Sequence, residues 1–133
     1  MSFLIDTNTL SAHIRRPSGL AHRFMQHSGR LYLSTISLAE FYVWIYRREN
    51  VKAALDAIEK LLYYEVSVIG FDEECARVFG KTRVEMRSRG LDANPVDLMI
   101  ASVALVYDLT LVTNNTKDFR NIPDLRFEDW LNS

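Results

Sequence analysis

The chain has 133 residues, 48% of them hydrophobic and 25% charged, with a net charge of −1, three prolines and five glycines. Such a length and composition predict one ordered domain, residues 1–133, able to bury its own core, and exclude disordered and fibrous classes. The charge balance excludes bulk electrostatic attraction to nucleic acid, and no apolar run approaches the roughly 20 residues that cross a bilayer, so no membrane partner is expected.

Met1-Ser2-Phe3 lacks the basic flank of a secretory signal. Cys75 is the single cysteine; it reads as a small core residue, and the reading for the whole chain is a reducing, cytoplasmic setting. The positive charge comes from 12 arginines against 4 lysines, and arginine is the better residue for bidentate contact with phosphate.

Phe3-Leu4-Ile5-Asp6-Thr7-Asn8 opens the chain by sending an apolar run into a carboxylate. A buried strand ending on Asp6 aims an acid past the sheet edge, where ligands of open α/β sheets bind. Asp6 equally suits the strand-to-helix turn as a cap. Thr9 to Ile14 reads as a short helix, broken by Arg15-Arg16-Pro17-Ser18-Gly19 before a second from Leu20 to His27. Leu31 to Leu33 reads as a strand, Leu38 to Arg48 as a helix entered through Ser34 to Ser37, and Val51 to Leu62 as its antiparallel partner across Glu49-Asn50.

Tyr64 to Ile69 alternates and is rich in β-branched residues, predicting a strand. Asp72 caps a helix running to Arg89 and ended by Gly90. Asn94 and Pro95 start another, almost wholly apolar from Leu98 to Val106. Leu109 to Thr113 is the next strand, Asn114 to Arg120 a polar turn, Leu125 to Phe127 a candidate edge strand and Glu128 to Leu131 a final helical turn. Strands alternating with helices predict a three-layer α/β/α sandwich with a parallel sheet of four to five strands.

Three more acids leave strand ends or helix starts. Glu40 stands in Ser37-Leu38-Ala39-Glu40, a capping-box pattern in which it would bond back to Ser37. Asp97 falls in the first turn of the apolar helix, where the helix dipole favours it by about 0.3–1 kcal/mol, yet an isolated carboxylate there also calls for water, a cation or hydrogen bonds. Asp118 lies in the turn after the fourth predicted strand, together with Thr113, Asn114 and Asn115. Converging carboxylates repel one another; they are a poor way to stabilise a fold and a good way to hold Mg²⁺ or Mn²⁺ for phosphodiester hydrolysis. His13, His22 and His27 lack the pairing of a zinc site and are expected at the surface.

The order Leu4-Ile5-Asp6-Thr7-Asn8, Ser37-Leu38-Ala39-Glu40, Pro95-Val96-Asp97-Leu98-Met99-Ile100-Ala101 and Val112-Thr113-Asn114-Asn115-Thr116-Lys117-Asp118-Phe119 resembles the PIN-domain ribonucleases. More narrowly it is similar to the VapC toxins of bacterial VapBC toxin–antitoxin pairs, up to the close at Ile122-Pro123-Asp124-Leu125-Arg126-Phe127-Glu128-Asp129-Trp130. The resemblance implies that Asp6, Glu40 and Asp97 are the core acids, with Asp118 in the fourth place and Asn115 filling part of that role. Asp6, Asp97 and Asp118 then hold the ion, while Glu40 holds a second ion or orients the water, with Thr7, Asn8, Thr113 and Asn115 in support. It further implies Mg²⁺- or Mn²⁺-dependent endonucleolytic cleavage of RNA, with tRNA the favoured class, homodimerisation, and inhibition by a small cognate VapB-type antitoxin in a larger hetero-oligomer.

Lys81, Arg83, Arg87 and Arg89 precede the loop to Asp97 and are candidates to meet RNA phosphates, against the alternative of a solvated helix face. Phe41, Tyr42, Trp44 and Tyr46 exceed what one core-facing stripe hides, leaving surface for a dimer contact or an antitoxin groove. Two rivals remain. A catalytically silent PIN-like module that binds RNA or protein is opposed by the complete acid set. A phosphate-handling enzyme of receiver or phosphatase type lacks the second acid beside Asp6, and Lys117 is a loose match to its lysine.

Overall fold

The computed structural model describes residues 1–132, apart from the side chains of residues 17 and 18. Ser133, the last residue of the expected domain, lies outside the described residues. Among the described residues five strands are each followed or preceded by one or two helices, seven in all: β1 (Phe3–Ile5), α1 (Thr7–Arg15), α2 (Pro17–Gln26), β2 (Leu31–Ser34), α3 (Thr35–Tyr46), α4 (Val51–Tyr64), β3 (Ser67–Ile69), α5 (Glu73–Ser88), α6 (Pro95–Val106), β4 (Thr110–Val112), α7 (Thr116–Phe119) and β5 (Phe127–Glu128).

All strand pairs are parallel, in the order β3-β2-β1-β4-β5. The opening strand is therefore central. From β1 the chain moves outward through β2 and β3, then returns to the other side of β1 for β4 and β5. The direction reverses between β1 and β4, and the carboxyl ends of strands at such a reversal form the crevice where open sheets bind ligands.

Alternation along β1 assigns the two faces. Phe3 and Ile5 join a core with Leu10, Phe24, Phe41, Ile45 and Ile58, from α1 to α4. Leu4 points the other way, among Cys75, Met86, Leu98, Ala101 and Phe119, from α5 to α7. Helices on both faces bury the central strands completely, giving the three-layer sandwich expected from the alternating pattern.

Local chemistry sets the helix boundaries. Side-chain oxygens of Asp6, Ser34, Asn50, Asp72 and Asn94 accept backbone N–H bonds at the starts of α1, α3, α4, α5 and α6. Asp72 also accepts the Tyr107 hydroxyl, which helps hold its carboxyl down at about 2. Helix α5 closes on Gly90, whose φ of 73° permits the paired bonds from Gly90 N to Arg87 O and Leu91 N to Met86 O.

Several boundaries differ from the sequence reading. Helix α3 begins at Thr35, because Ser34 rather than Ser37 provides the cap. Tyr64 belongs to α4, since Glu65 N still bonds to Leu61 O, and only Ser67–Ile69 remain extended. The polar turn from Asn114 contains the short helix α7, and β5 lies at Phe127–Glu128, beyond the expected Leu125–Phe127. No final helical turn forms at Glu128–Leu131, because the Asp129 carboxylate takes the N–H groups of Leu131 and Asn132 into a tight turn.

His13 also departs from expectation: it is buried, stacked on Phe24 with ring centroids 3.7 Å apart, and its Nε2 lies 3.2 Å from Glu65 Oε1. His27 packs between Phe3 and Trp130. Of the aromatic residues on α3, Phe41 is fully buried and Tyr42 and Trp44 are partly buried, whereas Tyr46 is exposed.

Candidate active site

The four acids reach the carboxyl edge by separate routes. Asp6 directly follows β1, continues its ladder by donating its N–H to Val112 O at 3.0 Å, and caps α1 by accepting Thr9 N–H on Oδ1 at 2.8 Å. It is only 5% exposed. Capping was one of the two duties open to Asp6 in the sequence, and the structure shows that it performs that one while standing at the edge.

Glu40 does not make the capping-box bond. With the cap at Ser34, Glu40 lies beyond the first turn of α3, and its Oε1 accepts the Thr7 hydroxyl at 2.9 Å. The pattern misled because it treated Ser37 as the cap; Ser37 instead donates its N–H to Ser34 at 3.0 Å. One hydrogen bond therefore joins the helix after β2 to the residue after Asp6.

Asp97 occupies the first turn of α6, where Asn94 Oδ1 accepts Val96 N–H at 2.8 Å. Burial pushes its carboxyl above the ordinary 3.8, and the charges of Asp118, Glu40 and Asp6, in that order, push it further. Asp97 thus feels all three of the other expected acids. Asp118 belongs to α7 and is exposed, closing the group from the β4 side.

Burial likewise raises the Asp6 carboxyl, opposed by hydrogen bonding from the Thr113 hydroxyl and from Thr9. Thr113 is fully buried, and its hydroxyl accepts Asn115 N–H at 3.0 Å, so the two residues expected in support form one link toward Asp6. Asn8 is exposed on α1.

These residues could hold a cation. The donors are hard oxygens, and two of the acids are raised chiefly by burial, with the charge of Asp129 added at Asp6 and those of Asp118, Glu40 and Asp6 at Asp97; a bound divalent ion would offset both. Among the described residues no three acid, histidine or cysteine side chains are drawn into a closed cage. Asp97 instead stands within electrostatic reach of the other three, a loose arrangement that would suit an ion keeping several of its waters.

The basic candidates are less free than their sequence suggests. Arg83 and Arg87 both approach Asp92, at 3.6 and 3.1 Å, and Arg89 pairs with Glu85 at 3.1 Å. The exposed pairs of Arg87 and Arg89 are worth little, whereas Arg83 is largely buried. Lys81 is exposed on α5. A cleft of about 520 Å³ lies away from the acids, between Arg15, Arg16, Leu20, Trp130 and Leu131.

One acid at this edge was missed. Asp129 follows β5, and its charge adds to the rise at Asp6. In the sequence it looked like part of a helical turn next to Trp130.

Comparison with known proteins gives a consistent result. A PIN domain model matches residues 3–125. The chain is 31% identical over 131 residues to the tRNA(fMet)-specific endonuclease VapC of Salmonella typhimurium, covering 98% of each sequence. Among solved structures it resembles a chain of the DNA-bound VapBC complex of Salmonella typhimurium, with a TM-score of 0.90, 31% identity and 98% of each chain covered. A chain of VapBC2 from Rickettsia felis, bound to a fragment of its promoter, aligns with a TM-score of 0.89 and 28% identity over 98% of this chain and 99% of that one.

Proposed function

From the premise that the chain belongs to the PIN-domain family, we infer that it is an endoribonuclease acting as the toxin of a VapBC toxin–antitoxin pair. The observation that carries this reading is that the charges of Asp118, Glu40 and Asp6 all act on the Asp97 carboxyl. Four acids from distant stretches of sequence are thus near one sheet edge, which supports reading them as one set. The same completeness argues against a silent binding module.

Asp6, Asp97 and Asp118 would hold Mg²⁺ or Mn²⁺. When bound, the ion supplies charge neutralisation at the phosphodiester oxygens and lowers the pKa of an attacking water. The chain's own residues do the rest. The Thr7 hydroxyl orients the Glu40 carboxylate by donating to Oε1, and Glu40 is the group we assign to orient the attacking water and take its proton. Thr113 and Thr9 fix the Asp6 carboxylate by hydrogen bonding, and Asn94 fixes the first turn that carries Asp97.

The substrate class we propose is tRNA, supported by the activity in the name of the Salmonella typhimurium relative. Lys81, Arg83, Arg87 and Arg89 are proposed phosphate contacts, the three arginines giving up their partners on α5 and at Asp92. The solved relatives are VapBC complexes, which supports a VapB-type antitoxin as partner; a homodimer within a larger hetero-oligomer is the assembly we propose from the family resemblance. Among the described residues no helix is long and apolar enough to cross a membrane; the cytoplasm is the proposed location.

The test is direct. The parent chain and Asp97→Asn are expressed without antitoxin, and total RNA is mapped for new ends. Arrest with discrete tRNA cleavage by the parent, and neither with the variant, is expected. Equal arrest and equal cleavage by both would overturn the assignment.

A further inference from the structure

The register of the sheet places an acid at the edge that four-acid chemistry does not use. Ile5 pairs with Val112, and Val112 pairs with Glu128. The next residue on each strand extends the same row: Asp6 after β1, Thr113 after β4 and Asp129 after β5. Both steps are visible as hydrogen bonds, since Asp6 N–H donates to Val112 O at 3.0 Å and Thr113 N–H donates to Glu128 O at 2.9 Å. Parallel neighbours lie about 4.8 Å apart, so the Asp6 and Asp129 backbones stand roughly 10 Å apart on one line.

Asp129 is held there firmly. Its Oδ1 accepts Leu131 N–H at 2.9 Å and Asn132 N–H at 3.2 Å, and Oδ2 accepts the Asn132 side-chain amide at 2.8 Å. The next residue, Trp130, is buried against Phe3 and Phe24, and its Nε1 donates to Glu128 Oε1 at 3.2 Å. The end of β5 is thereby clamped against β1 and α2, and the carboxylate has no freedom to swing away.

We propose that Asp129 is a positioning residue of the acidic site, a fixed negative charge one strand beyond Thr113 that strengthens divalent-cation binding at Asp6. It is not assigned as a ligand, because its three hydrogen bonds tie the carboxylate to the turn that follows it. It acts through the potential at the edge and through Thr113, whose backbone bonds the residue preceding it. This proposal rests on the ribonuclease reading above. A unit charge acting on a divalent ion roughly 10 Å away through water changes its dissociation constant about four-fold, and raised salt screens that effect.

The experiment measures Mn²⁺ binding to the metal-free full chain by calorimetry and by thermal shift, at about 20 mM and about 500 mM KCl. Asp129→Asn keeps an acceptor oxygen for the turn and loses the charge; Asp129→Ser is a second variant with a retained acceptor. Asp56→Asn, on the exposed face of α4, controls for net charge. Expected is a dissociation constant about four-fold weaker for both Asp129 variants at low salt, a gap that closes at high salt, and no change for Asp56→Asn. Binding equal to the parent's at low salt in either folded Asp129 variant overturns the proposal, as does a loss that high salt does not reduce. If Asp97→Asn abolishes binding while the Asp129 variants match the parent, only this proposal fails. If the parent binds no Mn²⁺, the ribonuclease reading fails with it.

Discussion

Asp97→Asn is expected to make the metal-free protein more stable while it removes activity. Burial and then the three like charges of Asp118, Glu40 and Asp6 act against an ionised Asp97. In a half-exposed site the charges alone contribute about 0.7 kcal/mol each at a spacing of roughly 6 Å in water-like surroundings, or about 2 kcal/mol together. Against this, the carboxylate gains about 0.3–1 kcal/mol from the helix dipole at the start of α6. The net gain on neutralisation is about 1–2 kcal/mol. With an unfolding entropy of about 2.1 cal/mol/K for each of the 133 residues, that raises Tm by about 4–7 °C.

The sign also fixes the pH dependence. A carboxyl raised above 3.8 in the folded state adds stability that is full below 3.8 and is lost as pH rises through the raised value. The parent carries the penalty at neutral pH, so the advantage of the variant should be greatest there and fade toward pH 4. Saturating Mn²⁺ should reverse the order. An ion at one hundred times its dissociation constant stabilises the parent by about 2.7 kcal/mol and leaves the variant largely unmoved. The assay is thermal unfolding in chelator and then in Mn²⁺, from pH 4 to 8. A lower Tm for the variant in chelator at pH 7, with an undiminished Mn²⁺ response, would refute the account and make Asp97 a plain helix-start acid.

Thr7→Val removes the donor to Glu40 Oε1; single-turnover cleavage should slow roughly ten-fold, equivalent to about 1.4 kcal/mol, with Tm within about 2 °C of the parent. Leu4→Ala empties a fully buried position on the central strand, so denaturant unfolding should report a loss of about 3–5 kcal/mol. Cys75 is buried and its thiol is pushed up to about 11. At pH 8 only roughly one molecule in a thousand carries the thiolate, so a thiol reagent should leave the native chain unlabelled and label it fully in denaturant.

Asp6 and Asp97 were legible because their positions follow from local rules. An apolar run ending in Asp must leave its acid at a strand end, and Asn94-Pro95 fixes where α6 begins. Glu40 was placed at the right edge for a partly wrong reason. The capping-box pattern started the helix at Ser37, and a Ser three residues earlier took the cap in the structure. Competition between two serines cannot be ranked from spacing, because it turns on where β2 stops. Asp129 was not legible at all. Its neighbour in the site is Asp6, and what brings them together is the register of two ladders, Ile5 with Val112 and Val112 with Glu128. No local signal encodes a pairing across more than a hundred residues, and the nearest local cue, a run that looked helical, pointed elsewhere.

The same acids carry structure and chemistry at once, and this explains why the bland reading of each was always available. Asp6 caps α1 through Oδ1, Asp97 sits in the turn fixed by Asn94, and Asp129 closes the turn after β5. A cap anchors a carboxylate through one oxygen and leaves its charge intact, so the hydrogen bonds that stabilise the helix starts also lock the charges at the edge. Each helix leaving a strand must begin at that edge, and each helix start favours an acid. A doubly wound sheet therefore gathers its caps where its strands end. At the reversal between β1 and β4, α3, α6 and α7 bring their acids to the edge where β1 ends, close enough for the charges of Asp118, Glu40 and Asp6 to act on Asp97.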